Sequence, residues 1–389
     1  MKNALCALWL LVCVSVACSD VGDGDEDTDS TTDVTDTDTD TDSDTDSDSD
    51  TDTDTDSDTE TVDTETVDTE TVDTETVDTE TVDTETVDTE TVDTEWTTIP
   101  AGSFWMGTPD GTCPDGYTGS CTSELGRSSN ETLHYVTLTQ SFEIMRTEVT
   151  QGDFAAVMGW NPVARYDAGC SYGCGVDHPV FYVSWWDTVA YANELSLDEG
   201  FSPCYVLTNV VCEDATNVGT DYLDCMNDTA GGILSATLSL NSVATPYACE
   251  GYRLPTESEW EYAIRAGSST AFYPSDGNDG SITHTGMSPV DPNLDQIGWF
   301  GGNNGTSGTP EYGTKPVGGK EANAWGLYDM SGNVWEWTWD WYSTYPAGTI
   351  SSPTVDPTGA ESASDHAVRG GFWHSYAYGC RSGVRYYNT

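Results

Sequence analysis

Between Ser19 and Glu95 the chain is written in Asp, Glu, Thr, Ser, Val and Gly alone, with no Lys, no Arg and no aromatic residue. Such a stretch cannot bury enough apolar surface to offset the entropy of ordering its backbone. Whatever folds must therefore be built from Trp96–Thr389. Inside the polar stretch the unit TVDTE occurs seven times in succession from Thr61 to Glu95, behind an irregular Asp-Thr/Ser alternation. A five-residue period without apolar partners cannot stack into a solenoid core. Residues 18–95 read as a disordered tether, about 250 Å long if fully stretched and roughly 50 Å as an ideal coil, with self-repulsion favouring the longer figure. Its Asp repeats lack the turn Gly and bidentate Glu of an ordered calcium loop, so weak, unordered cation binding is expected of them.

Ahead of the tether, residues 1–17 read as a signal peptide: Lys2, an apolar run from Ala4 to Val16, then small residues, too short to cross a bilayer as a helix. Val16-Ala17-Cys18-Ser19 is similar to the lipobox of bacterial lipoproteins, which would lipidate Cys18 and anchor the chain to the outer membrane or cell surface. Ser15 and Ala17 equally suit an ordinary signal peptidase cutting at the same bond, and the alternative is a secreted protein. Half of the 68 acidic residues lie in the tether, and Trp96–Thr389 sets 34 acidic residues against 10 Lys and Arg. Neither part offers the basic footprint that nucleic acid requires.

In an exported chain the cysteines read as disulfides. Local staples join Cys113 to Cys121 and Cys170 to Cys174 by this reading, while the pairing of Cys204, Cys212, Cys225 and Cys249 stays open and Cys380 is left over. Zinc is disfavoured, because the intervals are irregular and no His falls at finger spacing. Ile99–Gly107 and His134–Met145 read as strands. Three helix starts carry capping boxes, Thr150 with Asp153, Ser184 with Asp187 and Thr256 with Glu259. Trp185, Val189 and Ala192 then form one core stripe, and Trp260, Ala263 and Ile264 another. Beyond Gly267 periodicity fades. The segment Asn323–Trp341, NAWGLYDMSGNVWEWTWDW, mixes Trp, Asn, Gly and carboxylates in a way that fits neither a plain helix nor a plain strand, and reads as a site or a recognition surface.

Six islands, IPAGSFWMG, FEIMRTEVTQGDFAAVM, VSWWDTVAYAN, GYRLPTESEWEYAIRAG, NAWGLYDMSGNVWEW and VRGGFW, stand in the order and spacing of the sulfatase-modifying-factor, or formylglycine-generating-enzyme, family. The resemblance covers nearly all of residues 96–387. It implies an irregular, loop-rich α+β single domain related to C-type lectins. Active members resemble copper-dependent oxidases that use oxygen to turn a cysteine of a target sulfatase into formylglycine, with copper held by two thiolates after the RGG motif. Two soft thiolates select Cu(I) over harder cations. Here the first thiolate position holds Ser375. The second falls on Cys380 if no gap is allowed, and moves off it if the alignment runs backwards from Arg381 and Arg385. With Ser375 in the pair, copper binding and the oxidase activity are not expected. The family pattern continues to a final strand ending in Gly-Phe-Arg, whereas this sequence stops at Tyr387-Asn388-Thr389.

The family's calcium site maps to the side chains of Asp329 and Glu336 and the carbonyls of Gly332 and Val334, a set suited to a hard cation; the competing reading pairs Glu336 with Arg369. A second family calcium site finds no matching Asn near Gly298-Trp299-Phe300. The three-histidine iron of other relatives has no counterpart among the five histidines. His374 beside Ser375 invites a base-and-nucleophile reading, which the opposed facing of adjacent extended residues argues against. Lectin-like relatives of this fold use the same C-terminal region as a variable ligand-binding face, which here would carry Trp373, His374, Tyr376 and Tyr378. The expectation is a surface-tethered binding or scaffold module for an extracellular protein or glycan, with a formylglycine-generating oxidase as the alternative.

Overall fold

The computed structural model describes residues 7–9, 13–14, 95–214, 221–227, 229–275 and 277–389. Cys18 and the tether up to residue 94 lie outside the described residues. In chain order the strands are β1 (Ala7–Trp9), β2 (Cys13–Val14), β3 (Trp96–Ile99), β4 (Gly102–Met106), β5 (His134–Leu138), β6 (Phe142–Met145), β7 (Tyr205–Cys212), β8 (Ile233–Leu240), β9 (Trp335–Trp341), β10 (Thr354–Val355), β11 (His366–Arg369) and β12 (Tyr386–Asn388). The helices are α1 (Gln151–Met158), α2 (Pro162–Tyr166), α3 (Trp185–Asp198), α4 (Glu257–Arg265) and α5 (Pro292–Ile297).

All three capping boxes form: Thr150, Ser184 and Thr256 each accept the backbone N–H three residues on, and Asp153, Asp187 and Glu259 reach back to the cap. Each box satisfies two of the amides a helix start leaves bare. The shorter α2 and α5 were not anticipated, although each has an Asn or Asp cap followed by Pro, a start signal in its own right. Both predicted core stripes are buried, Trp185, Val189 and Ala192 on α3 and Trp260, Ala263 and Ile264 on α4. They seed two apolar clusters. One gathers α1, α3 and the β7–β8 pair around Phe154, Trp185 and Trp337; the other gathers β3 to β6, α4 and α5 around Phe142, Trp260 and Phe300.

Small sheets join these clusters. β3 and β6 pair antiparallel, as do β4 with β5, and β9 with β11 and β11 with β12. Ala7–Trp9 and Cys13–Val14, within the residues read above as a signal peptide, pair with β6 and β9 respectively. Two sequence expectations need correction. His134–Met145 is not one strand: Thr139, Gln140 and Ser141 turn the chain so that β5 and β6 enter different sheets. Trp335–Trp341, the end of the segment that fitted no element, is a plain strand. It hid because Trp335 to Thr338 are all buried, and a strand covered on both faces shows no alternation.

Disulfides hold the loops. Cys113–Cys121 and Cys170–Cys174 form as expected, and the four cysteines left open pair as Cys204–Cys249 and Cys212–Cys225. Cys212–Cys225 and Cys204–Cys249 tie the two ends of β7 to loops, the kind of closure that removes most freedom from an unfolded chain. Disulfides at this density mark an exported protein. Among the described residues no helix is long and apolar enough to cross a membrane.

Candidate functional site

The C-terminal segment is fixed by buried ion pairs that converge from three directions. Arg369, at the end of β11, gives its guanidinium to Glu261 and to Glu257 of α4. Arg385 forms a two-pronged pair with Glu257, both contacts at 2.6 Å. Arg381 binds Glu131 and Glu124. Removing one partner from such a buried pair leaves an uncompensated charge, so these contacts fix geometry more than they add net stability.

Between Arg369 and Arg381 the chain turns at Gly370 and Gly371, both with left-handed φ, and continues through a short 3-10 turn over Ala377–Cys380. A Cβ on Gly371 would lie 2.7 Å from Cys380 Sγ and 2.8 Å from the carbonyl oxygen of Gly379, so the glycine is what lets Cys380 approach. The Cys380 thiol donates to the Tyr376 carbonyl at 3.8 Å, and the Ser375 hydroxyl lies near enough to act on it, which is the neighbourhood the gap-free alignment implies. Cys380 is free and fully buried, and burial pushes its thiol up to about 12. One thiol opposite a hydroxyl does not supply the two sulfur ligands of a Cu(I) dithiolate centre. The Ser375 Oγ also accepts the amide of Phe372, and no hydrogen bond joins it to His374, whose ring instead lies against Tyr312, Phe372 and Trp373.

The turn ahead of β9 runs through left-handed φ at Asp329, Gly332 and Asn333. Gly332 is obligatory, since a Cβ there would meet the Trp299 carbonyl oxygen at 2.1 Å. Asp329 and Glu336 are wholly buried. Asp329 Oδ2 accepts the amide of Gly318, and Glu336 Oε2 accepts the Trp260 indole N–H at 2.6 Å; their other oxygens, Asp329 Oδ1 and Glu336 Oε1, have no partner. Burial raises Asp329 to about 6 and Glu336 to about 8. The Glu336–Arg369 pairing does not occur in this geometry, because Arg369 turns to α4.

Sequence reasoning missed Glu148. It is fully buried between β6 and α1, has an unpartnered Oε1, and is raised well above the usual carboxylate range by burial and by the charges of Asp329 and Glu336. A Glu just before the first capping box was the only signal the sequence offered. Unpartnered buried carboxylate oxygens are costly unless a cation or a proton compensates them, and buried carboxylates with an open oxygen each suit a hard cation. Among the described residues no three His, Cys, Asp or Glu side chains converge closely enough to hold a metal by themselves. The fit therefore rests on the open oxygens of Asp329 and Glu336, with Glu148 close by and its own Oε1 open.

Of the four residues expected on a contact face, Trp373 is the correction. It is only 2 % exposed, enclosed by Tyr172 stacked at 5.4 Å and Tyr312 edge-on at 4.8 Å, because three chain segments meet there. His374 and Tyr378 are half-buried and Tyr376 is 46 % exposed, its ring parallel to Tyr378 at 5.8 Å. Gly126 seats this pair, since a Cβ there would lie 2.4 Å from the Tyr378 Cβ.

The sulfatase-modifying factor enzyme 1-like domain matches residues 82–389, most of the chain. The chain belongs to this family. Among the family's curated relatives, the chaperone protein LppX of Paenibacillus barcinonensis is 32% identical over 213 residues, 52% of this chain and 63% of its own length. The formylglycine-generating enzyme of Mus musculus is 35% identical over 159 residues, 39% of each chain. This family member thus spans less than two thirds of the length of either relative. Its fold is similar to that of Treponema denticola variable protein 1, with a TM-score of 0.50 and 28% identity over 76% of this chain and 89% of that one.

Proposed function

We propose that this protein is an exported, surface-tethered member of the family that acts as a binding or scaffold module and not as a copper oxidase. Ser375 beside the buried, unpaired Cys380, one thiol where the copper site would need two, is the observation that carries this reading. A lipid at Cys18 anchors the chain, the acidic tether holds the domain away from the membrane, and the ligand is an extracellular protein or glycan. Tyr376 and Tyr378 present the accessible aromatic surface, His374 borders it and Trp373 forms its floor, the composition that contact faces favour. That one relative is named a chaperone supports a role in holding other proteins. Calcium sits at Asp329, Glu336 and the carbonyls of Gly332 and Val334, where it neutralises buried charge and fixes the turn before β9.

The second reading, an oxidase converting a protein cysteine to formylglycine, draws on the contact between Ser375 and Cys380, which keeps the place of a two-ligand site. The test is titration of the full chain with Cu(I) against a competing chelator. No tight copper in the natural chain is the expected result; one-to-one tight binding that disappears in Cys380→Ser would restore the oxidase. On the binding side, a glycan and cell-surface protein screen should return a ligand whose binding weakens in Tyr376→Ala, and unchanged binding removes that face from the assignment.

A further inference from the structure

Lys315 and Lys320 are the only lysines after Lys2. Lys315 is half-buried in a loop with two arms, and its ammonium donates to three oxygens: Asn304 Oδ1, the Glu311 carbonyl at 2.8 Å and the Gly313 carbonyl at 2.7 Å. An ammonium has three N–H donors, so this set uses all of them. The Trp299 ring closes a further side, 5.7 Å from the nitrogen to the ring centroid, within the range of a cation–π contact. Two backbone carbonyls and an amide oxygen converging on one point form the donor set that proteins use for hard cations; here the cation is covalently attached to the chain.

The cage is joined to the candidate contact face. Tyr312 lies between the two residues whose carbonyls both turn to Lys315, and its ring packs edge-on against Trp373 at 4.8 Å and His374 at 5.7 Å. The same Asn304 that accepts from Lys315 donates its amide N–H to the Trp373 carbonyl at 2.8 Å. The Thr314 N–H donates to the Tyr172 carbonyl at 2.7 Å, and Tyr172 is the ring stacked on Trp373. Gly313 lies so close to that strand of chain that a Cβ would stand 2.2 Å from the Tyr172 carbonyl carbon.

We propose that Asn304, Glu311 and Gly313 form a cation site whose resident ion is the chain's own Lys315 ammonium, that this ion positions Tyr312 against Trp373 and His374, and that the emptied site accepts free ammonium or a small alkylammonium. The importance of the positioning for ligand binding rests on the contact-face reading above; the site itself does not.

The test uses the full chain and no ligand, so a failure of the contact-face reading leaves it untouched. Lys315→Ala is expected to lower Tm and to lose the near-ultraviolet circular dichroism of the packed Tyr312–Trp373 rings. Ammonium or methylammonium chloride should recover both, while tetramethylammonium chloride at equal ionic strength should not, being too large and without N–H donors. Lys315→Met, which fills the space with an uncharged side chain, should not respond to either salt. Unchanged circular dichroism in Lys315→Ala, or equal recovery in tetramethylammonium, overturns the proposal. If Lys315→Ala fails to fold in every salt, nitrogen-15 lysine spectra of the natural chain decide. Ammonium protons of Lys315 protected from solvent exchange support the site, and freely exchanging ones overturn it.

Discussion

His366 is held between the rings of Trp185 and Trp341, with both centroids 3.7 Å from its own. Its Nδ1 faces the Trp339 carbonyl at 3.2 Å, its Nε2 has no partner, and desolvation lowers its pKa to about 3. Below its ordinary value near 6.5 the unfolded chain takes up a proton that the folded chain refuses, so stability is lost as pH falls through that window and is unaffected above it. At pH 5 the loss amounts to about 2 kcal/mol. His366→Phe should therefore show a flatter stability profile than the natural chain between pH 7 and pH 5, measured by denaturant unfolding; parallel profiles would refute this assignment. Ser375→Cys is the complementary change at the other end of the segment. It places a second thiol near Cys380 and should bind Cu(I) more tightly than the natural chain does, and the double change with Cys380→Ser should remove that gain.

At the level of single elements, the capping boxes differ in what surrounds them. The box of α1 is partly exposed, and Thr150→Ala should cost about 1 kcal/mol. The box of α4 is buried: Thr256 also contacts the Tyr247 hydroxyl at 3.1 Å, and its partner Glu259 pairs with Arg253. Thr256→Ala should cost more, on the order of 2–3 kcal/mol, because it leaves a buried carboxylate short of a donor. Equal losses in the two variants would mean that burial adds nothing to the cap. The sequence marked all three boxes because a cap is local chemistry. It missed β9 as a strand for the opposite reason, since the surroundings of Trp335–Trp341 come from chain far away in sequence.

Across the whole molecule, the buried carboxylates of Asp329, Glu336 and Glu148 meet at the centre and need a proton or a cation to compensate them. Calcium should raise Tm, with a gain of about 2.7 kcal/mol at a hundredfold excess over its dissociation constant. Chelation should reverse the gain, and Glu336→Gln should abolish it. A thermal scan of the natural chain that is indifferent to calcium would remove the ion from the assignment.

Sequence alone was enough to assign the family, through six ordered islands. It also marked three helix starts, both helical core stripes and two short disulfides, because these depend on composition and on neighbours within a few residues. The pairing of Cys204 with Cys249 and of Cys212 with Cys225, the enclosure of Trp373, the contact between Ser375 and Cys380, and the approach of Glu148 to Asp329 and Glu336 were decided by the tertiary structure. Each of these is a meeting of loops whose paths follow from packing, and residue spacing carries no record of such paths.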